Sequence, residues 1–253
     1  MGKPLTTGML AGLPVTRVTE KPATFNALIY GNSGMGKTVL CGSASAVPDM
    51  SPVLFIDIED GTNSLRTTYP DCDVVVVDSW EGIVNVLREL ENNPDLYKTI
   101  VVDSLSEMQK LALYYIMSKA NPPMDPTVDK AGWDEYAKIL EVMRMFTRRA
   151  KKLPCNVLMT ALLDEEKDKK TGKTMYKPLL TGKFKQEIGA LPDEVFYLYV
   201  VEQYNEETEQ DQMVRVLLTA ATDTAVAKDR SGMLPQVIPN PTMEIVYNTM
   251  FNK

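Results

Sequence analysis

The sequence predicts an α/β domain with a mainly parallel central sheet, flanking helices and antiparallel strands at one edge. The first observation is that helical patterns alternate with strand-like apolar runs at 25–30, 53–58, 74–77, 99–102 and 156–161. The second is a glycine-rich loop at 31–38, between the first of these strands and a helix of small residues. The third is a pair of segments rich in Val, Tyr and Leu, 194–201 and 213–219, which flank an acidic turn.

Helical spacing of apolar residues predicts helices at 80–90, 105–119 and 133–152. Ser104 and Glu107 form a capping-box pair at the start of the second helix. The third ends in a run of cations, which complements the helix dipole. In such a sheet, ligands bind at the carboxyl ends of the parallel strands.

Composition favours one domain with appended segments. The chain has 253 residues, of which 44% are hydrophobic and 24% are charged, as in ordinary globular proteins. Residues 1–22 carry Gly, Pro and Thr without periodicity and predict a flexible N-terminal arm. The core is predicted at 23–235, and a C-terminal tail at 236–253.

Several kinds of chemistry are excluded by composition. The chain has no histidine, and Cys41, Cys72 and Cys155 form no C-x-x-C pair, which argues against a zinc site and a disulfide framework. The formal net charge of −7 means that nucleic-acid contact requires a local basic patch. No apolar run approaches the roughly 18 residues of a membrane span, and no secretion signal is visible. We therefore expect a cytoplasmic protein without membrane contact.

The loop at 31–38 matches G-x-x-x-x-G-K-[ST] at every specified position and predicts a nucleoside triphosphate site. Its glycines let backbone N–H groups converge on phosphates, Lys37 reaches the β- and γ-phosphate oxygens, and Thr38 ligates Mg²⁺. The predicted nucleotide-binding residues are Gly31, Asn32, Ser33, Gly34, Met35, Gly36, Lys37, Thr38 and Val39.

Acidic residues follow two of the predicted strands. The strand at 99–102 is followed by Asp103, which is typical of a Walker B element that brings a carboxylate to Mg²⁺. Candidates for the base that orients water are Glu59, Asp60 and Glu107, and we favour Glu59 because it lies just past a strand end. The alternative for these acids is a role as helix caps or solvated turn residues, which we prefer for Glu107. Thr160 ends its strand and is either a γ-phosphate sensor or a buried, hydrogen-bonded threonine.

The segment from Asp164 to Lys185 is the most basic long segment of this acidic chain. It is either a solvated hairpin with Gly172 at its tip or a loop that follows a nucleic-acid backbone, with Tyr176 and Phe184 as stacking surfaces. The candidate DNA-binding lysines are Lys167, Lys169, Lys170, Lys173 and Lys177.

Taken together, these motifs resemble the RecA-like P-loop ATPases. The resemblance rests on the phosphate loop, Asp57-Ile58-Glu59, Val101-Val102-Asp103-Ser104 and the edge pair after a basic loop. Over about residues 24–235, the chain is similar to phage Sak-type annealing proteins, whose compact RecA core is an AAA-type nucleotide-binding domain. The fold that this implies is a RecA-like ATPase core.

The resemblance also implies roles for individual residues. Glu59 would activate water, Asp103 would hold Mg²⁺, and Thr160 would occupy the sensor position. The loop at 164–178 would contact single-stranded DNA. The K-x-R pair, Lys228 and Arg230, resembles the catalytic cations that reach a neighbour's ATP in hexameric RecA-like motors.

At the level of the whole protein, the resemblance implies a phage-encoded ATPase of the host cytoplasm that uses ATP and Mg²⁺, binds single-stranded DNA and assists annealing or recombination. It implies a homo-oligomer, either ring or filament, with ATP at subunit interfaces. A single-strand DNA-binding protein is a further candidate partner. The alternative is a nucleotide-switched interaction protein with little or no DNA binding.

Overall fold

A computed structural model describes residues 8–17, 20, 22–205 and 209–251. Its strands are β1 (Gly8–Leu10), β2 (Leu13–Val15), β3 (Asn26–Gly31), β4 (Val53–Asp57), β5 (Asp73–Val76), β6 (Thr99–Asp103), β7 (Asn156–Lys167), β8 (Thr174–Pro178), β9 (Glu194–Asn205), β10 (Gln210–Leu218) and β11 (Val237–Pro239). Its α-helices are α1 (Lys37–Gly42), α2 (Trp80–Asn92), α3 (Leu105–Ser118), α4 (Trp133–Ala150), α5 (Phe184–Glu187) and α6 (Met243–Phe251). Short 3₁₀ helices cover Ser43–Ala46, Thr62–Leu65 and Ile188–Ala190. No helix within these ranges is long and apolar enough to cross a bilayer.

Strands β3 to β11 form one sheet in the order β11-β10-β9-β3-β7-β6-β4-β5, and β8 pairs with the far part of β7. The strands from β9 to β5 in this order run parallel, whereas β10 and β11 are antiparallel to their neighbours. The predicted α/β class, with a mainly parallel sheet and antiparallel edge strands, is confirmed. One detail differs, because β9 pairs with β3 inside the sheet and only β10 and β11 lie towards the edge.

Each face of the sheet carries its own hydrophobic core. In β3, Leu28 and Tyr30 pack with residues of α2, α3 and α4, while Ala27 and Ile29 pack with residues of α1 and α6. All of β3 is buried, as expected for a parallel strand with helices on both faces. The phosphate loop therefore begins at the end of a strand that is held rigidly from both sides.

The terminal segments are more structured than the sequence indicated. Residues 236–253 were predicted to be a tail, yet β11 joins the sheet, and α6 buries Met243, Val246 and Tyr247. The tertiary contacts of α6 come from far along the chain: the Met243 N–H donates to Ser43 Oγ at 2.8 Å. Within the predicted arm, β1 and β2 form an antiparallel hairpin, and residues 1–7, 18–19 and 21 lie outside the described residues.

Glu194 begins β9 at the end of the sheet opposite the phosphate loop, and it is buried. Burial raises the pKa of its carboxyl to about 7, and the nearby Asp229 carboxylate adds to this rise. A hydrogen bond of 3.0 Å from the Arg230 N–H opposes it. The folded protein therefore binds this proton more tightly than the unfolded chain does.

Glu194→Gln should alter how stability depends on pH. In the wild type, the contribution of Glu194 is fully present below the unfolded pKa and is lost as the pH rises through about 7. Urea unfolding should show the variant equal to wild type near pH 4 and more stable at pH 8, by up to about 3 kcal/mol. Glu202→Gln, at an exposed position of the same strand, is the matched control. Parallel pH profiles for wild type and Glu194→Gln would contradict the assignment.

Candidate functional site

The phosphate loop joins the buried strand β3 to α1, as predicted. Gly34 and Gly36 have φ of 79° and 95°, in the left-handed region that favours glycine. Gly31 allows close approach, because a Cβ there would lie 2.2 Å from the backbone oxygen of Leu198. No side chain caps the first turn of α1, so side chains leave its N–H groups available to a ligand.

Lys37 lies buried within the loop. Its Nζ donates to the backbone oxygens of Gly31 and Asn32, each at 2.9 Å. Burial lowers the pKa of Lys37, while the charges of Asp103 and Glu59 act in the opposite direction. The ammonium group is thus held at the loop beside two carboxylates.

Asp103 joins three parts of the site. One carboxylate oxygen accepts a hydrogen bond of 2.7 Å from Thr38 Oγ1, and the other accepts one from Thr160 Oγ1. Thr160 meets Asp103 because β7, which carries Thr160, lies between β3 and β6 in the sheet. Thr160 is fully buried, as the second of its two predicted roles requires. Its role as a sensor stays a prediction.

Thr38 and Asp103 are the residues that fit Mg²⁺. Both offer oxygen atoms, which this ion prefers, and they already lie within hydrogen-bonding distance. Among the described residues, no group of three or more His, Cys, Asp or Glu side chains could hold a metal. Mg²⁺ in phosphate sites is commonly bound by one or two carboxylates and completed by phosphates and water.

Of the three candidate bases, Glu59 is the one whose charge acts on Lys37. Its carboxylate accepts a hydrogen bond from the Ser104 hydroxyl, next to Asp103. Partial burial raises the pKa of Glu59, the Ser104 hydrogen bond opposes this, and the charge of Asp103 adds to it. The backbone of Asp60 has φ of 54°, and Glu107 pairs with Lys110 at 2.6 Å.

Neighbouring groups support these positions. The N–H of Glu107 donates to Ser104 Oγ, so Ser104 caps α3 as predicted. Asp57 accepts hydrogen bonds from the N–H groups of Glu59, Gly61 and Thr62 and thereby shapes the turn that follows β4. Asp57 therefore orients the segment that carries Glu59.

The basic segment is an ordered hairpin rather than an open loop. β7 continues to Lys167 and pairs with β8, and Gly172 lies in the connecting turn with φ of 71°. Lys173 pairs with Asp223, and Lys177 lies 3.5 Å from Glu166. Within the described ranges, Lys167, Lys169 and Lys170 are exposed and form no ion pair.

Lys228 and Arg230 lie far from their own phosphate loop. Lys228 bridges to Val195 near the start of β9, and β9 runs parallel to β3, whose opposite end carries the loop. Lys228 Nζ donates to the backbone oxygens of Gly189 and Pro192, and Arg230 pairs with Asp193 at 2.7 Å. The two cations therefore lie towards the end of the sheet opposite their own phosphate loop.

Arg215 of β10 is a site residue that the sequence did not reveal. Its Nε donates to the backbone oxygen of Met35 in the phosphate loop at 3.1 Å. Beside it lies a groove of about 370 Å³ that Val39, Tyr69, Asn240 and Pro241 help to line. A cation within an apolar strand was the available signal, but its contact depends on how β10 is placed beside the loop.

Comparison with known protein families identifies the family of this chain. A family model described as an AAA domain matches residues 23–231, and a search of curated proteins finds no match. The matched region includes the phosphate loop, Glu59, Asp103 and Lys228. The chain belongs to the AAA domain family, and its site is that of a nucleotide-binding P-loop ATPase domain.

Proposed function

We propose that this protein is a Mg²⁺-ATP-dependent, RecA-like ATPase that binds single-stranded DNA and assists annealing or recombination. The observation that carries the ATPase part is the assembly of Lys37, Thr38, Asp103 and Glu59 at one end of the parallel sheet. These residues come from three separate chain segments, and each has the chemistry that phosphoryl transfer requires.

Each residue has a defined task in hydrolysis. Lys37 exchanges its loop oxygens for phosphate oxygens, and Thr38 and Asp103 hold Mg²⁺, which supplies charge neutralisation when bound. Glu59 accepts the proton of the attacking water, and the Ser104 hydroxyl keeps the Glu59 carboxylate oriented.

The placement of Lys228 and Arg230 supports action on a neighbouring subunit. They lie at the end of the sheet opposite the phosphate loop, so one subunit can offer them to the nucleotide of the next. This arrangement is head-to-tail, which closes into a ring or continues as a filament. In the isolated chain, the two cations are held by Asp193 and by backbone oxygens.

Single-stranded DNA binding is assigned to the hairpin formed by β7 and β8. Its exposed lysines Lys167, Lys169 and Lys170 form no ion pair within the described residues, so their side chains are available to phosphates. Lys173 and Lys177 are partly offset by acids. A single-strand DNA-binding protein, as a partner, would add a second contact between this protein and the DNA complex.

A partner-binding switch is the second candidate function. The observation that favours it is a groove of about 650 Å³ at the start of α4, lined mainly by apolar and aromatic residues, including Trp133, which is 93% exposed. Exposed apolar surface of this kind is typical of protein interfaces. In this alternative, nucleotide binding would regulate the partner, and DNA would bind weakly or not at all.

Lys37→Ala should abolish ATP binding, because the loop loses its only side-chain cation. Glu59→Gln should bind ATP as wild type does while hydrolysis falls at least about 100-fold. Calorimetric titration and phosphate release measure the two effects, and Asp60→Asn is the matched control. Undiminished ATP affinity in Lys37→Ala would rule out this site. Persisting hydrolysis in Glu59→Gln would move the base to Asp60 or Glu107.

Changing Lys167, Lys169 and Lys170 together to Ala should weaken binding of an oligonucleotide and reduce its salt dependence. Each lost phosphate contact lowers the slope of log K against log salt by about 0.7. Fluorescence anisotropy over a salt series measures both quantities. A triple variant at Lys98, Lys119 and Lys152 removes the same charge elsewhere. No binding by the wild type at low salt would favour the switch instead.

Mixing Arg230→Ala subunits with Lys37→Ala subunits should restore ATP hydrolysis that neither variant has alone. The mixture creates interfaces at which an intact loop meets an intact Arg230 from the neighbour. Activity should be greatest near equal proportions of the two variants. Absence of rescue at every ratio would count against catalysis across subunits.

A further inference from the structure

We propose that Arg215 is a positioning residue for the phosphate loop, which sets the orientation of the Met35–Gly36 peptide. This inference rests on the proposed nucleotide-binding function and adds a residue from the antiparallel edge of the sheet. The direct contact is the hydrogen bond from Arg215 Nε to the Met35 oxygen, at 3.1 Å. It joins two segments far apart in the chain.

The strand directs Arg215 to the correct face of the sheet. Leu217 lies two residues further along β10 and packs in the core shared with α1, so Arg215 projects to the same face. Val214 and Val216 are buried on either side. The backbone oxygen of Arg215 accepts a hydrogen bond of 2.7 Å from the Asn240 N–H, which ties this part of β10 to β11. The side chain therefore leaves from a well-supported backbone.

The hydrogen bond controls where the Gly36 N–H points. In a trans peptide the C=O and the N–H point in opposite directions. Because the Met35 oxygen faces Arg215, the N–H of Gly36 faces away from β10. The loop offers such N–H groups to phosphates. Arg215 thereby holds one phosphate donor in place before the ligand arrives.

Gly36 provides the space that this contact needs. A Cβ at this position would lie 2.9 Å from Arg215 Nε, and φ of 95° already disfavours other residues. The glycine of the motif thus allows both the backbone turn and the approach of the guanidinium group. Each of the two features depends on the absence of a side chain.

The charge of Arg215 contributes as well. No acid pairs with it among the described residues, so no neighbouring carboxylate offsets the positive charge of the guanidinium. A charged donor polarises the Met35–Gly36 peptide and strengthens the opposite N–H. The orientation of the peptide and its polarisation both act on bound phosphates, and neither depends on the nucleobase of the ligand.

The experiment compares ATP with inorganic tripolyphosphate by calorimetric titration in the presence of Mg²⁺. Arg215→Ala should weaken both ligands by the same factor, about 10-fold, which corresponds to one hydrogen bond to a charged group. Arg215→Gln keeps a donor without the charge, and Arg215→Lys keeps the charge with different geometry. Each should recover part of the affinity. Arg148→Ala, at an exposed site on α4, should match wild type.

The outcomes separate this inference from the function on which it rests. Wild-type affinity for both ligands in Arg215→Ala would overturn the inference and leave nucleotide binding intact. A loss for ATP alone would also overturn it, because the contact would then be to the nucleoside. The inference would also be overturned if Arg215→Ala lowered the unfolding temperature of the ligand-free protein while neither Arg215→Gln nor Arg215→Lys recovered any affinity. That result would indicate a structural role for Arg215. Failure of the wild type to bind either ligand would overturn the proposed function itself.

Discussion

The site depends on the hydrogen bonds that the Asp103 carboxylate accepts. The carboxylate accepts them from Thr38 at the start of α1 and from Thr160 on β7, while its own strand is buried between β4 and β7. A buried carboxylate without such donors would be costly. The two threonines therefore stabilise the charge and at the same time fix the distance between the phosphate loop and the Walker B strand.

The two ends of the sheet carry different groups of charged residues. The carboxyl end of the parallel strands carries the phosphate loop, Glu59 and Asp103, as the topology of parallel sheets favours. The amino end carries Glu194, Lys228 and Arg230 in a partly buried charged cluster. Because the sheet separates the two groups, a shared active site requires a second subunit. This separation is the physical basis for the proposed head-to-tail assembly.

The antiparallel edge is more than an extension of the sheet. Through Arg215, β10 contacts the backbone of the phosphate loop, and through Asn240 the same strand position is tied to β11. The C-terminal helix α6 then packs against the short helix that follows α1. The last part of the chain thus surrounds the first nucleotide-binding motif on the α1 face of the sheet.

The sequence by itself determined the fold class and the position of the phosphate loop, and it indicated Asp103 and Glu59 as candidate site residues, because these depend on local patterns: buried strands, glycines at fixed spacing and acids at strand ends. It left the role of Thr160 open and did not indicate Arg215 or the packing of α6. Those features depend on which strands become neighbours, and contacts between residues such as Met35 and Arg215 have no local signature. Only the tertiary structure decided them, since strand order brings together side chains that are distant in the chain.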